Sequence, residues 1–372
     1  MISFLKNKAR PIGLDIGHNS IRMIQLAGAG EHIHVIAADK APLQADMAAD
    51  PQLWKEAVVS TITDMLKRGN FQGRNVVSCL SNDILKIISL RLDTTDDNEM
   101  KELLRKDVAQ RLGLDADADE IRYLIAGNVY QGDEIKNEVI FFGTDRSNLA
   151  RHIAMLEQAC LTPVAIDTVP CALFRSFQAS LRRVEDQQLV SVFVDVGSRF
   201  TTVIIGRGQQ ITFVKQIPLA GDQLNREVAS RLDIGIDEAI VLRSKLRNTD
   251  TEETIDPATK QTVIDAMNRV IEEIATEVSR CFRYYAVTFR GERPKEVVFA
   301  GGEANEPALL DALKRHLSVD IKIAQPLRGF DLTRVNFNTS EQTQLSQWAV
   351  AVGLGIKGWE LPDAGNEDYE RN

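Results

Sequence analysis

The chain repeats itself at an offset of 180 residues. The stretch Gly13-Leu-Asp-Ile-Gly-His-Asn-Ser-Ile-Arg-Met-Ile-Gln-Leu26 aligns with Phe193-Val-Asp-Val-Gly-Ser-Arg-Phe-Thr-Thr-Val-Ile-Ile-Gly206, placing Asp15 on Asp195 and Gly17 on Gly197. Ile16/Val196, Met23/Val203, Ile24/Ile204 and Gly28/Gly208 keep the same offset, and Ile33 falls on Phe213. Each copy reads as strand, tight glycine turn, strand, turn, strand. One Asp-x-Gly is common. A second with matching flanking strands and a later glycine constrains the fold to two related α/β halves, each opening with a β-meander.

The segments after each meander fit that division. The first is succeeded by a helix over about 50–69, with Leu53, Ala57, Ile62 and Leu66 as its expected apolar stripe, then a buried strand over 74–80. After the second come helices over 221–232, 236–246 and 258–289, a short strand over 296–300, Gly301-Gly302, and a helix over 305–317. A last helix over 342–356 is dense in small residues (Ala349, Ala351, Gly353, Gly355) and should pack closely on a neighbour. Between residues 80 and 163 the pattern is β-α-β-β-α, with helices over 98–112 and 146–160; this block reads as a subdomain inserted in the first half. The expected division is 10–81 and 162–187 for the first lobe, 82–161 for the insert, and 188–220 with 293–340 for the second lobe. Residues 221–292 form a helical subdomain of that lobe, 341–358 a helix returning to the first lobe, and 359–372 a disordered tail.

Charge narrows the function. The 44 basic and 53 acidic residues give a net charge of −9, with no extended basic cluster, which excludes a typical nucleic-acid binder. The four cysteines, Cys79, Cys160, Cys171 and Cys281, form no Cys-x-x-Cys pair and have no histidine at zinc spacing, so they read as reduced thiols. No apolar run approaches the roughly 20 residues that span a bilayer. The basic start Lys6, Lys8, Arg10 is followed by no secretory apolar stretch, so a cytoplasmic location is expected.

The duplicated turns carry the chemistry. A buried strand delivers Asp15 to its carboxyl end, Gly17 allows a tight turn, and the following N–H groups and Ser20 can donate to a phosphate oxygen. Asp15 suits a Mg²⁺ ion held through water, because Mg²⁺ prefers oxygen ligands and keeps several waters. Asp195-Val-Gly-Ser-Arg199 is the same device, and two such turns facing each other would clamp a triphosphate. Val298-Phe-Ala-Gly-Gly-Glu-Ala-Asn305 is a strand, a glycine pair and a helix start, a place for a nucleoside or α-phosphate. His18 could touch a phosphate or sit on the turn without a partner. His32 and His34 read as solvated, and Asp96-Asp97 as a helix cap.

These motifs together resemble the phosphate and adenosine motifs of the actin, heat-shock-chaperone and sugar-kinase superfamily. The late insertion resembles that of FtsA and its relatives, the PilM family of type IV pilus-assembly proteins. Gly13-Leu-Asp-Ile-Gly17, Ile166-Asp-Thr-Val-Pro-Cys-Ala-Leu-Phe-Arg175, and Ile217-Pro-Leu-Ala-Gly-Asp-Gln-Leu224 with Arg226-Glu-Val-Ala229 are similar to that family's phrases, and the resemblance covers about 10–358. It implies an α/β, actin-like (ribonuclease H-like) two-lobed fold with duplicated β-meander sheets and an inserted β-α-β-β-α subdomain.

It also implies ATP and Mg in the cleft. The nucleotide site would draw Asp15, Gly17, His18, Asn19, Ser20 and Arg22 from one turn and Asp195, Gly197, Ser198 and Arg199 from the other. Gly221, Asp222, Gly301, Gly302, Glu303 and Asn305 would complete it, with Asp15 and Asp195 holding Mg through water. The implied role is a cytoplasmic scaffold at the inner face of the bacterial inner membrane, in a type IV pilus or type II secretion platform. Its implied partners are the N-terminal cytoplasmic peptide of a PilN-like membrane protein and other platform components, with nucleotide biasing lobe closure.

Departures from the family pattern point to weak or absent hydrolysis. His18 and Asn19 stand where small residues are usual, and Arg22 replaces a lysine. Val169 replaces a carboxylate before Pro170, Glu303 replaces a glycine, and Ala220-Gly221-Asp222 replaces Gly-Gly-Asp. Three alternatives stay open: an FtsA-like filament protein, although residues 359–372 hold no apolar stripe; a small-molecule kinase; and a nucleotide-free structural relative.

Overall fold

The structure is a computed structural model and describes residues 9–29, 32–43, 50–93, 96–131, 133–178, 189–247, 255–289, 294, 296–335, 337 and 344–360. Among them the strands form three sheets. The first contains β1 (Ile12–Ile16), β2 (Ser20–Ala29), β3 (His32–Pro42), β4 (Asn75–Leu80) and β8 (Thr162–Thr168), in the order β3-β2-β1-β4-β8. The second contains β9 (Val190–Val196), β10 (Thr201–Arg207), β11 (Gln210–Ile217), β12 (Glu296–Ala300) and β13 (Asp320–Ile323), in the order β11-β10-β9-β12-β13. In both sheets the meander pairs are antiparallel and the remaining pairs parallel. The central strands are covered on both faces, which is why they read as continuous apolar runs.

The repeat extends to the register. Gly13 faces Ile24 and Asp15 faces Arg22; Phe193 faces Ile204 and Asp195 faces Thr202. The register shift in β2, between Gln25 and Leu26, recurs 180 residues later between Ile205 and Gly206 of β10.

Helix α1 (Pro51–Arg68) starts where Asp50 accepts from the N–H groups of Gln52 and Leu53, with proline at the first helical position, and ends in Lys67 and Arg68. Its buried face is Val58, Ile62, Met65 and Leu66, with Trp54 packed beside them. Of the expected stripe, Ile62 and Leu66 are on the buried face, whereas Leu53 and Ala57 give way to Trp54 and Val58. Leu53 is 53% exposed, because the row at helical spacing that meets the sheet starts from Trp54.

The third sheet has the order β5-β7-β6, from β5 (Lys86–Leu92), β6 (Glu120–Gln131) and β7 (Glu134–Thr144). Helix α2 (Asp97–Leu103) is capped by Asp96 and passes through a π-helical turn over Leu104–Val108 into α3 (Ala109–Leu112). Met100, Val108 and Leu112 pack on Val139 and Phe141 of this sheet. Helix α4 (Arg146–Gln158) lies elsewhere. Its Met155 and Leu156 share a core with Val58, Ile62 and Val76, and His152 Nε2 lies 3.2 Å from Ser78 Oγ on β4. The second helix expected in the insert thus seats on the first-lobe sheet.

Helix α5 (Val169–Gln178) follows β8. The second sheet carries α6 (Gly221–Leu232), α7 (Ile236–Arg247), the long α8 (Pro257–Phe289) and α9 (Pro307–Leu317). The last helix, α10 (Ala349–Glu360), follows a 3-10 turn over Leu345–Trp348. It crosses α5, β1 and β2. A Cβ at Gly353 would strike the carbonyl of Ala172, and one at Gly13 would meet Gly355. The small residues of α10 let these backbones touch. Trp359 and Glu360, expected in a disordered tail, belong to α10, and the Arg10 guanidinium sits 4.9 Å from the Trp359 ring centre. The rest of that segment, 361–372, and the basic positions Lys6 and Lys8 lie outside the described residues, as do 341–343 of the last expected helix.

Candidate functional site

A cleft of about 700 Å³ lies where the two Asp-x-Gly turns face each other. Each turn is closed by the same hydrogen bond, from Gly17 N to Ser20 O and from Gly197 N to Phe200 O, both 3.1 Å. A Cβ on Gly17 would stand 2.9 Å from Ser20 O, so the first turn needs its glycine. Asp15, Gly17, His18, Asn19, Ser20 and Arg22 line the cleft from one side. Asp195, Gly197, Ser198, Arg199, Gly221, Gly301, Gly302 and Glu303 line it from the other.

Asp15 and Asp195 are the electrostatic centre. Burial pushes the Asp15 carboxyl up, partly offset by Arg22, whose Nη1 is 3.4 Å from Asp15 Oδ2. Burial and the charge of Asp15 push Asp195 up to about 7, again opposed by Arg22. The charge of Asp15 disfavours ionisation of Asp195, and a cation near both carboxylates would favour it. The donor set is oxygen only. Among the described residues no group of three or more His, Cys, Asp or Glu side chains is placed to hold an ion. An ion here would draw its other ligands from water and phosphate, which suits Mg²⁺. The cleft lining includes Arg22, Lys40, Arg199 and Arg247 against Asp15, Asp83, Asp195 and Glu303. The formal charges are equal, but Asp195 is pushed up to about 7, so the lining leans basic near neutral pH.

Gly301 has φ +91°, and a Cβ there would lie 2.7 Å from Asp195 Oδ1; the chain passes this close only as glycine. At Gly302 a Cβ would meet nothing within 4 Å, so the backbone there opens into the cleft. Glu303 turns toward α7, accepting from Arg243 Nη2 at 2.6 Å and Arg247 Nη1 at 2.9 Å. These two guanidinium groups hold its carboxyl below the usual range despite burial. Two candidates stand apart: Asp222 and Asn305 are absent from the lining. Asp222, in the first turn of α6, accepts from Ser198 Oγ at 2.5 Å and Asn19 Nδ2 at 3.4 Å, and lies 3.9 Å from His18 Nε2. Burial lowers the His18 pKa, with Asp222 opposing.

Several residues were not singled out by sequence reading. Gln347 Oε1 accepts from Arg22 Nη2 at 2.9 Å and from Lys40 Nζ at 2.8 Å, pinning two cations beside Asp15. Arg243, 1% exposed, donates to Glu303, Glu306, Asn225 and the Gly221 carbonyl. A hint existed: Arg243 and Arg247 are spaced i, i+4 on the helix after the Gly-Asp turn, a spacing that sets both on one face. Val169 lines the cleft at the start of α5 and offers no polar atom to a water.

Residues 13–359 match the family described as type IV pilus assembly protein PilM. The chain belongs to the PilM family. Among solved structures, one titled a PilM-PilN type IV pilus biogenesis complex aligns with a TM-score of 0.77 at 21% identity, covering 94% of this chain and 98% of that one. The ethanolamine utilization protein EutJ from Carboxydothermus hydrogenoformans aligns with a TM-score of 0.55 at 13% identity, covering 96% and 92%. The cell division protein FtsA of Bacillus subtilis (strain 168) is 21% identical over 157 residues, 38% of this chain and 35% of that protein. The chain thus spans about a third of the curated relative's length in that match. The fold shared with the two solved structures is one of mixed β-sheets and α-helices. Among the described residues no helix is long and apolar enough to cross a membrane.

Proposed function

We propose that this PilM-family chain is an actin-like, ATP-binding scaffold of a type IV pilus or type II secretion platform, cytoplasmic and held at the inner membrane through its partners. The observation that carries the nucleotide reading is the pair of duplicated turns that bring Asp15 and Asp195 into one cleft. The N–H groups after Gly17 and Gly197, with Ser20 and Ser198, would receive phosphate oxygens. Asp15 and Asp195 would hold Mg²⁺ through water, and the ion would supply the charge that neutralises the phosphates. Gly301-Gly302 would lie along the nucleoside end. Arg22, held by Gln347, keeps a cation beside the phosphates. With Val169 at the cleft, no side chain at that position orients an attacking water, and positioning is most of phosphoryl-transfer catalysis. Turnover should be slow or absent.

The partner reading is supported by family membership and by the fold shared with a protein solved in a complex with PilN. The partner would be the short cytoplasmic N-terminal peptide of a PilN-like membrane protein, seated between the insert and the first lobe. The deciding experiment is calorimetric titration with Mg–ATP of the wild type and Asp15→Ala. Micromolar binding lost in the variant supports the reading. No binding up to millimolar ATP overturns it and favours a nucleotide-free scaffold.

A further inference from the structure

The insert branches from the first lobe and reaches the second as well. At the cleft mouth, the link between β4 and β5 reaches across. Asn82 Nδ2 donates to Thr202 Oγ1 at 3.1 Å, and Asn82 Oδ1 accepts from Gln216 Nε2 at 2.7 Å. Asp83 Oδ1 pairs with Arg199 Nη1 at 2.8 Å. At the far end, Arg91 of β5 donates to Thr288 Oγ1 of α8 at 3.2 Å and to its cross-strand neighbour Glu138 at 3.3 Å. Tyr284 of α8 donates to the same carboxylate at 3.3 Å. Between these ends, Ala126, Ile140 and Phe142 of the insert share a buried cluster with Ile211 and Val214 of β11.

We infer that the chain braces its own cleft shut: the insert and the link before it act as a strut that fixes the two lobes without nucleotide. A ligand moves a two-state equilibrium only by its differential affinity for the two states. Here the closed state already has apolar burial in the middle and polar bolts at both ends, so Mg–ATP has little closure left to drive. Asn19 Nδ2 donates to Asp222 Oδ1 at 3.4 Å, which joins the first-lobe turn to α6 across the cleft.

The test is the distance between spin labels, read by pulsed electron resonance on the full chain. One label goes on α1 through Leu53→Cys and one on α7 through Val241→Cys, both exposed positions, with the exposed native thiol removed by Cys160→Ser. The wild type should give a narrow distribution without nucleotide that Mg–ATP leaves in place. Asn82→Ala with Asp83→Ala, in a surface link outside the cores, should broaden it toward longer distances while the melting curve stays cooperative. Adding Arg91→Ala should broaden it further. A broad wild-type distribution that narrows with Mg–ATP would overturn the inference, as would variants as narrow as the wild type. Calorimetry on the same samples separates this result from the nucleotide reading: a narrow, bolt-dependent distribution stands as a brace whether or not ATP binds.

Discussion

His152 offers a quantitative check on how α4 is seated. Its ring is 8% exposed and contacts Ser78 Oγ of β4. Burial lowers its pKa from 6.5 to about 4. A histidine depressed in the folded state binds fewer protons there than in the unfolded chain. Its stabilising share is therefore complete above pH 6.5 and is lost as pH falls toward 4. Between pH 7 and pH 5 this linkage amounts to about 2 kcal/mol. The wild type alone would hide it. Asp195, pushed up to about 7, works in the opposite direction and returns about 2 kcal/mol over the same interval. The informative quantity is the difference between the wild type and His152→Gln, in which the Asp195 contribution cancels. Urea unfolding at both pH values should show that difference moving by about 2 kcal/mol against the wild type at pH 5. A pH-independent difference would mean His152 titrates as in water, and α4 would then not lie on β4.

Buried contacts give two further outcomes. Arg243→Ala leaves Glu303 and Glu306 enclosed without the guanidinium they share; it should cost about 3–5 kcal/mol, read from the denaturation midpoint, and a loss under about 1 kcal/mol would refute the buried cluster. Gly353→Val drives a side chain into the Ala172 carbonyl where α10 crosses α5; overpacking of this kind costs about 1–3 kcal/mol or more, and an unchanged melting temperature would refute the close crossing.

The repeat made the sheets and the two turns readable because it was preserved at the level of backbone need. Gly17 is irreplaceable for steric reasons, and the shared register shift after Gln25 and Ile205 reflects the same duplicated strand pairing. Apolar periodicity, by contrast, says that a helix buries a face but not which neighbour covers it. That is why α4 reads as a helix of the insert, and why the α1 stripe holds at Ile62 and Leu66 but falls one position early at Leu53 and Ala57. Gln347 was invisible for a related reason: an amide 325 positions from Arg22 has no local pattern, and its role exists only once α10 crosses the first sheet.

Several residues around the cleft tie the structure's own parts together. Glu303 forms pairs with Arg243 and Arg247 inside the second lobe, and Asn19 reaches Asp222 across the cleft. A chain that satisfies its cleft groups internally needs less from a ligand to hold its shape. An apolar Val169 at the cleft fits the proposed scaffold, whose output would be a surface held in one geometry rather than a turnover rate.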